Sequence, residues 1–161
     1  MNEVYTAKDI IKMAVQAKER GQELYLALAR NSENFHVGEL FTAFAKDEHR
    51  HKMQLEKWLD ELGSEKQEEA YPGERALYLK ALVDDNAFKC DATTRQSLET
   101  TINEEEALQA GINFEKDFML FLHDLKQHVV PEGGETIDEL IDDEIKHLRE
   151  MFHLKEKVDK K

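Results

Sequence analysis

The chain has 161 residues with 35 acidic and 22 basic side chains, and its formal net charge of −13 argues against binding to nucleic acid or to an anionic membrane surface. Its one cysteine, Cys90, excludes an internal disulfide and a four-cysteine metal site. No segment approaches the ~20 apolar residues that cross a bilayer, and the N-terminus lacks a secretory leader pattern. We therefore expect a soluble, cytoplasmic protein with a single domain over residues 1–161.

A low content of glycine and proline, 7 and 2 residues, favours helices, as does the abundance of Glu, Lys, Leu and Ala. Four long amphipathic segments follow in chain order, at about 6–30, 37–62, 103–130 and 136–159. Thr6 is the expected N-cap of the first segment, and Gly63 is the expected C-cap of the second. Asn103 and Thr136 begin the third and fourth segments, each with a Glu three residues later.

The connections between these segments are short, long and short. The long interval, about 64–102, contains "ERALYLKALV", which predicts a short helix, and "DDNAFKCDATTRQ", which predicts irregular chain. The pattern predicts an all-α four-helix bundle with one long crossover, and the crossover carries a short extra helix. An up-down bundle with a decorated loop is the alternative.

Polar residues interrupt the apolar stripe in the middle of all four segments, when positions are taken at helical spacing. They are Lys18, Glu48, His51, Glu115, Glu144 and His147. The second and fourth segments match position by position at a shift of 96 residues, and the first and third match at a shift of 97. The chain is therefore interpreted as two copies of a helical hairpin.

If these side chains lie at one level, three carboxylates and two imidazoles meet inside the bundle, and unpaired buried carboxylates are costly. A metal cation would balance them, and this donor set suits iron, manganese or zinc. In di-metal carboxylate bundles two helices each supply Glu-x-x-His. Glu48 and Glu144 would then bridge two metals, with His51 and His147 on one metal each. The competing interpretation is a set of charged, solvated helix faces.

Four stretches resemble the helices of rubrerythrin-type members of the ferritin-like superfamily: "AVQAKERGQELYLALA", "LFTAFAKDEHRHKMQLEKW", "ALQAGINFEKDFMLFL" and "LIDDEIKHLREM". The resemblance implies a ferritin-like bundle with Glu48, His51, Glu115, Glu144 and His147 as ligands of iron. It also implies peroxide or dioxygen chemistry and a homodimer. Since the chain lacks a four-cysteine domain, electrons would come from a separate protein such as a rubredoxin.

The first helix departs from the family pattern. Aligned on Gly21 and Tyr25, it has Lys18 where the family has a Glu ligand. Glu19 is kept as a substitute ligand, and Glu23 is expected to face solvent. The family resemblance implies that Tyr25 lies near the metals and takes part in catalysis, and the alternative is a plain core tyrosine.

Charge counting connects this departure to the number of metal ions. Glu48, Glu115 and Glu144 supply three negative charges, and a protonated Lys18 offsets one, so the remainder balances one divalent ion. We hypothesise that the Lys18 ammonium takes the space of one metal and pairs with Glu48, while the three carboxylates and His147 hold the other. A second possibility is that Lys18 loses its proton and becomes a reactive, catalytic amine.

Three functions stay open at this point. The first is a rubrerythrin-like oxidoreductase with one or two irons, and the second is a bundle that one iron or zinc ion stabilises. The third is a metal-free interaction protein. Asp47, Asp142 and Asp143 flank the candidate ligands; we expect them to be exposed, and the alternative is that they contact and orient the ligands. Arg50 lies off the apolar stripe, and we expect it to be exposed.

Overall fold

The structure, a computed structural model, describes residues 5–62, 70, 71, 73–84, 103–128 and 134–160. Gly63 and Cys90 lie outside these ranges. Within the ranges, no helix combines the length and the continuous apolar character that a membrane span requires. The described helices are α1 (Ala7–Asn31), α2 (Phe35–Glu61), α3 (Gly73–Asp84), α4 (Glu104–His128) and α5 (Gly134–Asp159).

Side-chain caps determine where α1 and α2 begin. The backbone N of Asp9 donates to Thr6 Oγ1 at 3.2 Å, and the backbone N of Thr6 donates to Asp9 Oδ2 at 2.9 Å, which is a capping box. At α2, Asn34 Oδ1 accepts a hydrogen bond from the backbone N of His36 at 2.9 Å. Because Asn34 caps the helix in this way, α2 begins at Phe35, two residues before the predicted start.

The same type of contact begins α4, where the backbone N of Glu106 donates to Asn103 Oδ1 at 2.8 Å. This is half of the capping box that the sequence spacing predicted. The last helix, α5, begins at Gly134. It therefore starts two residues earlier than the predicted start at Thr136.

The bundle consists of two helical hairpins: α1 packs along α2, and α4 packs along α5. Contacts of α1 with α4 and of α2 with α5 join the hairpins. The buried apolar side chains between them form one cluster, as expected when amphipathic helices turn their apolar faces inward. The crossover from α2 to α4 carries α3, so the predicted all-α bundle with a long crossover and a short extra helix is confirmed.

Two arginines attach α3 to the bundle. Arg75 Nη1 donates to Asp124 Oδ1 on α4 at 2.7 Å, and Arg20 Nη1 on α1 donates to the backbone O of Val83 at 2.9 Å. Polar contacts at both ends of the short helix therefore fix its position across α1 and α4.

A strand pair links the crossover to the start of the chain. Strand β1 (Tyr5–Thr6) pairs antiparallel with β2 (Ala70–Tyr71), with Tyr5 opposite Tyr71. The sequence did not predict this pair, because two-residue strands are too short to show an alternating hydrophobic pattern.

Candidate metal centre

A layer of charged side chains crosses the middle of the bundle, and all four long helices contribute to it. Helical spacing places each of them on the inward face of its helix. The exposed fraction is 3% for His147 and 0% for the others. The layer consists of Lys18 (α1), Glu48 and His51 (α2), Glu115 (α4), and Glu144 and His147 (α5).

Lys18 joins two of the carboxylates. Its Nζ donates to Glu48 Oε1 at 2.9 Å and also to Glu144 Oε1. It also stands 3.9 Å from the centroid of the Phe118 ring, which is the geometry of a cation–π contact. The pairing of Lys18 with Glu48 was predicted from the sequence. The contact of Lys18 with Glu144, which lies on the other hairpin, was not predicted.

Glu115 has two partners on one of its oxygens. Tyr25 donates its hydroxyl to Glu115 Oε1 at 2.5 Å, and His147 Nδ1 lies 3.2 Å from the same oxygen. The Tyr25 ring packs against Phe41 and Phe44, with centroids 5.8 and 5.4 Å away. Tyr25 is therefore a core residue that also orients a carboxylate of the charged layer.

Each histidine of the layer contacts an aspartate of the opposite helix. His51 Nε2 lies 3.1 Å from Asp143 Oδ2, and His147 Nε2 lies 3.0 Å from Asp47 Oδ2. Arg50 Nη2 donates to Asp47 Oδ1 at 3.1 Å and to Asp143 Oδ2 at 3.0 Å. We expected exposure for all three, with contacts to the ligands as the alternative for the two aspartates. The aspartates do contact the histidines, and the side chain of Arg50 is half exposed. One signal was present in the sequence: an Asp precedes the Glu in both Glu-x-x-His copies.

The second ring nitrogen of each histidine faces the carboxylates. His147 Nδ1 lies 3.2 Å from Glu115 Oε1 and 3.4 Å from Glu144 Oε2. His51 Nδ1 lies 3.3 Å from Glu144 Oε1 and 3.7 Å from Glu48 Oε1. These are the two oxygens that Lys18 also contacts. His51 therefore contacts the same carboxylate oxygens as the Lys18 ammonium, whereas His147 contacts two other oxygens, Glu115 Oε1 and Glu144 Oε2.

Four side chains could hold a metal ion together: Glu48, Glu115, Glu144 and His147 each offer one donor atom, and these atoms lie within 4.8 Å of one another. All four side chains are buried. The Oε2 atoms of the three glutamates have no hydrogen-bond partner among the described residues. Buried carboxylate oxygens normally have a partner, so these atoms suit a cation. The donor set fits one ion, and His51 lies outside it.

The charged layer shifts the pKa values of its members. Burial alone would lower the pKa of Lys18, but the charges of Glu144, Glu48 and Glu115 outweigh burial and raise it. Burial also disfavours charged His147, yet its contacts with the Glu115 and Glu144 carboxylates raise its pKa to about 11. Both side chains are therefore cations near neutral pH when no metal is bound. The raised pKa makes the reactive, neutral form of Lys18 unfavourable.

The two glutamates that lie against each other shift in opposite directions. Burial and the charges of Glu144 and Glu48 raise the pKa of Glu115 well above its usual value. Burial acts in the same sense on Glu144, but the Lys18 charge and the contacts with Glu115, His147 and His51 together outweigh burial and lower the pKa of Glu144 well below its usual value. Burial and the negative charge of Glu115 also raise the pKa of Tyr25, so its hydroxyl keeps its proton.

The remaining candidate ligands on α1 lie outside the donor group. Glu19 has a side chain that is 54% exposed, and it accepts a hydrogen bond from Lys52 Nζ at 3.2 Å. Glu23 is partly exposed. Neither carboxylate belongs to the group of four donors.

Gly21 allows α1 to pack closely against the charged layer. A Cβ atom at this position would lie 2.5 Å from Glu48 Oε2 and 2.5 Å from Phe114 Cζ. Both distances are shorter than real Cβ contacts, so α1 approaches Glu48 this closely only because residue 21 has no side chain.

Comparisons with known proteins agree with this architecture. The family model described as Rubrerythrin matches residues 9–155. A crystal structure of a candidate ferritin-like diiron-carboxylate protein from Thermotoga maritima superposes with a TM-score of 0.75 at 22% identity, over 97% of this chain and 98% of that one. At this identity the likeness shows a common fold. No curated protein sequence matches the chain.

Proposed function

This chain belongs to the rubrerythrin family, and we propose that its bundle binds one divalent metal ion, with iron as the first choice, through Glu48, Glu115, Glu144 and His147. The observation that carries the proposal is the convergence of four buried donor atoms within 4.8 Å of one another. Three carboxylates and one imidazole are enough ligands for one ion, and they suit iron, zinc or manganese.

The side chains around the donors support the same proposal. Asp47 holds Nε2 of His147 at 3.0 Å, which leaves Nδ1 to face the carboxylates. The Tyr25 hydroxyl contacts Glu115 Oε1, so the other oxygen of Glu115 is free of that hydrogen bond. Partners of this kind orient metal ligands and raise their affinity.

Metal analysis tests the proposal. Protein stripped by a chelator is loaded with Fe²⁺ without oxygen, or with Zn²⁺, and desalted before the metal is measured by mass spectrometry. We expect about one ion per chain. Glu115→Gln and His147→Gln should lose most of it, while Glu19→Gln, outside the donor group, should keep it. Absence of bound metal in the wild type would refute the proposal.

Oxidoreductase activity is the further step that the family resemblance implies. A bound iron would supply one-electron redox chemistry, but reduction of peroxide at an iron pair needs a second ion. In this chain Lys18 contacts both carboxylates, Glu48 and Glu144, that would bridge such a pair. We therefore expect the iron-loaded wild type, with reduced rubredoxin as electron donor, to consume peroxide no faster than Glu115→Gln. Faster consumption would establish a peroxidase.

A metal-free interaction protein is the second candidate, and the contacts of Lys18 favour it. The ammonium contacts two of the three carboxylates of the charged layer, so part of the charge is balanced without a metal. Retention of the native unfolding midpoint by the stripped wild type, together with no binding of Fe²⁺ or Zn²⁺, would select this candidate.

A homodimer is also part of the proposal. Several large apolar side chains are exposed on the helices, and Phe35 at the start of α2 is the most exposed of them at 72%. Exposed apolar residues of this size occur at protein interfaces. Light scattering on the wild type and on Phe35→Ser should show a dimer that the substitution weakens.

A further inference from the structure

The ammonium of Lys18 is enclosed by partners from three other helices. It donates to Glu48 Oε1 on α2 and to Glu144 Oε1 on α5, and the ring of Phe118 on α4 covers it at 3.9 Å. Carboxylates and an aromatic face are favourable partners for an ammonium group. Phe118 has no donor atom for a metal ion. The surroundings of Lys18 Nζ therefore suit an ammonium better than a metal ion.

An ammonium and a metal ion compete for the same carboxylate oxygens. The ammonium carries three N–H donors and no lone pair, and two cations at close range repel each other. Lys18 uses the Oε1 atoms of Glu48 and Glu144. The Oε2 atoms of both have no hydrogen-bond partner among the described residues. In each of these carboxylates, Oε1 thus accepts a hydrogen bond from Lys18, and Oε2 remains available to an exchangeable ion.

We infer that Lys18 acts as a tethered cation in place of a second metal ion and so limits the centre to one exchangeable ion. The inference rests on the proposed single-ion function. The internal repeat shows how the limit could be removed. Lys18 and Glu115 occupy matching positions of the two hairpins, so a glutamate at residue 18 would give both hairpins the same ligand set.

The stoichiometry of bound metal tests this inference. Lys18→Glu should raise bound Fe²⁺, and Zn²⁺ in a parallel experiment, from about one to about two ions per chain. Lys52→Glu is the matched control, because it makes the same charge change at a lysine whose ion-pair partners among the described residues, Glu19 and Glu56, lie outside the charged layer. That control should stay at about one ion.

The outcomes separate the two proposals. One ion in both the wild type and Lys18→Glu would overturn the inference and leave single-ion binding intact. No ion in either protein would refute the proposed function itself. Two ions in Lys52→Glu would also overturn the inference, since added negative charge alone would then explain the gain.

A second variant tests the ammonium pocket without any metal. Lys18→Ala removes a portion of the side chain with the shape of n-propylammonium. This ion, added during refolding, should raise the urea midpoint of Lys18→Ala and leave that of the wild type unchanged. 1-Propanol, which has the same shape without the charge, should have no effect. An equal response to both compounds, or to neither, would count against a pocket built for a cation.

Discussion

The carboxylate of Asp47 on α2 lies 3.0 Å from Nε2 of His147 on α5. The reverse contact, from Asp143 on α5 to Nε2 of His51 on α2, measures 3.1 Å. The two contacts cross between the hairpins, and both fix the ring so that Nδ1 faces the buried carboxylates. Only one of these rings, His147, belongs to the group of four donors.

This asymmetry predicts different effects for two similar substitutions. Asp47→Asn should weaken Zn²⁺ binding by about 10- to 100-fold, because the asparagine holds a metal-ligating histidine less well. Asp143→Asn is the matched control and should change the affinity much less, since it supports His51. Competition with a chromogenic chelator measures both affinities. Equal losses in the two variants would show that His51 is a ligand too.

The capping box of α1 predicts a loss of stability on Thr6→Ala. The substitution removes the hydroxyl that accepts the backbone N–H of Asp9, so the unfolding free energy should fall by about 1 kcal/mol. Thr42→Ala is the control, because the exposed Thr42 hydroxyl lies in the interior of α2 and donates to the backbone O of Gly38. That change should be neutral or slightly stabilising. Urea unfolding followed by circular dichroism measures both.

The same capping box predicts a pH dependence. The hydrogen bond from the backbone N of Thr6 lowers the pKa of Asp9 from its usual value of 3.8. A carboxyl whose pKa is lowered by folding contributes stability above its unfolded pKa and loses it as the pH falls through the folded pKa. The difference in unfolding free energy between wild type and Asp9→Asn should therefore be largest above pH 3.8 and shrink below it. A difference that grows on acidification would contradict this account.

Much of the charged layer could be anticipated from the sequence, because burial on a helix follows the helical period. Lys18 and Glu115, for example, fall on the inward stripes of their helices and are both fully buried. The period does not determine how one helix is rotated against another. The contacts of Asp47 and Arg50 depend on the relative rotation of α2 and α5, so the local sequence pattern favoured exposure for both and left a contact of Asp47 with a ligand only as an alternative. The side chain of Arg50 is in fact half exposed, and it still contacts both aspartates.

Tyr25 should contribute to stability through its hydroxyl. Tyr25→Phe keeps the ring among the phenylalanines but removes the donor to Glu115 Oε1. Loss of a partner from a buried polar group costs about 1–3 kcal/mol, and the metal-free protein should be destabilised by that amount in urea. Tyr78→Phe on α3 is the control, because Tyr78 is 44% exposed. Its effect should stay within about 0.5 kcal/mol, and a larger loss there than at Tyr25 would refute the assigned contact.

The close packing around Gly21 predicts that a side chain at this position would disturb the charged layer. Ala in place of Gly inside a helix normally stabilises by about 1 kcal/mol. At Gly38 on α2 the nearest atom to an added Cβ is the backbone O of Ala29 at 3.7 Å, an ordinary contact, so Gly38→Ala should follow that rule. At Gly21 the added Cβ would lie 2.5 Å from Glu48 Oε2. Gly21→Ala should therefore destabilise, by about 1–3 kcal/mol as overpacked cores do.

The same substitution should also weaken metal binding, because the methyl group pushes the Glu48 carboxylate away from the other donors. Urea unfolding of the metal-free protein and Zn²⁺ titration separate the two effects, and Gly38→Ala should leave the Zn²⁺ affinity unchanged. If Gly21→Ala lowered stability while the affinity stayed at the wild-type value, the Glu48 oxygen beside Gly21 would not be a ligand. Binding would then depend on Glu115, Glu144 and His147.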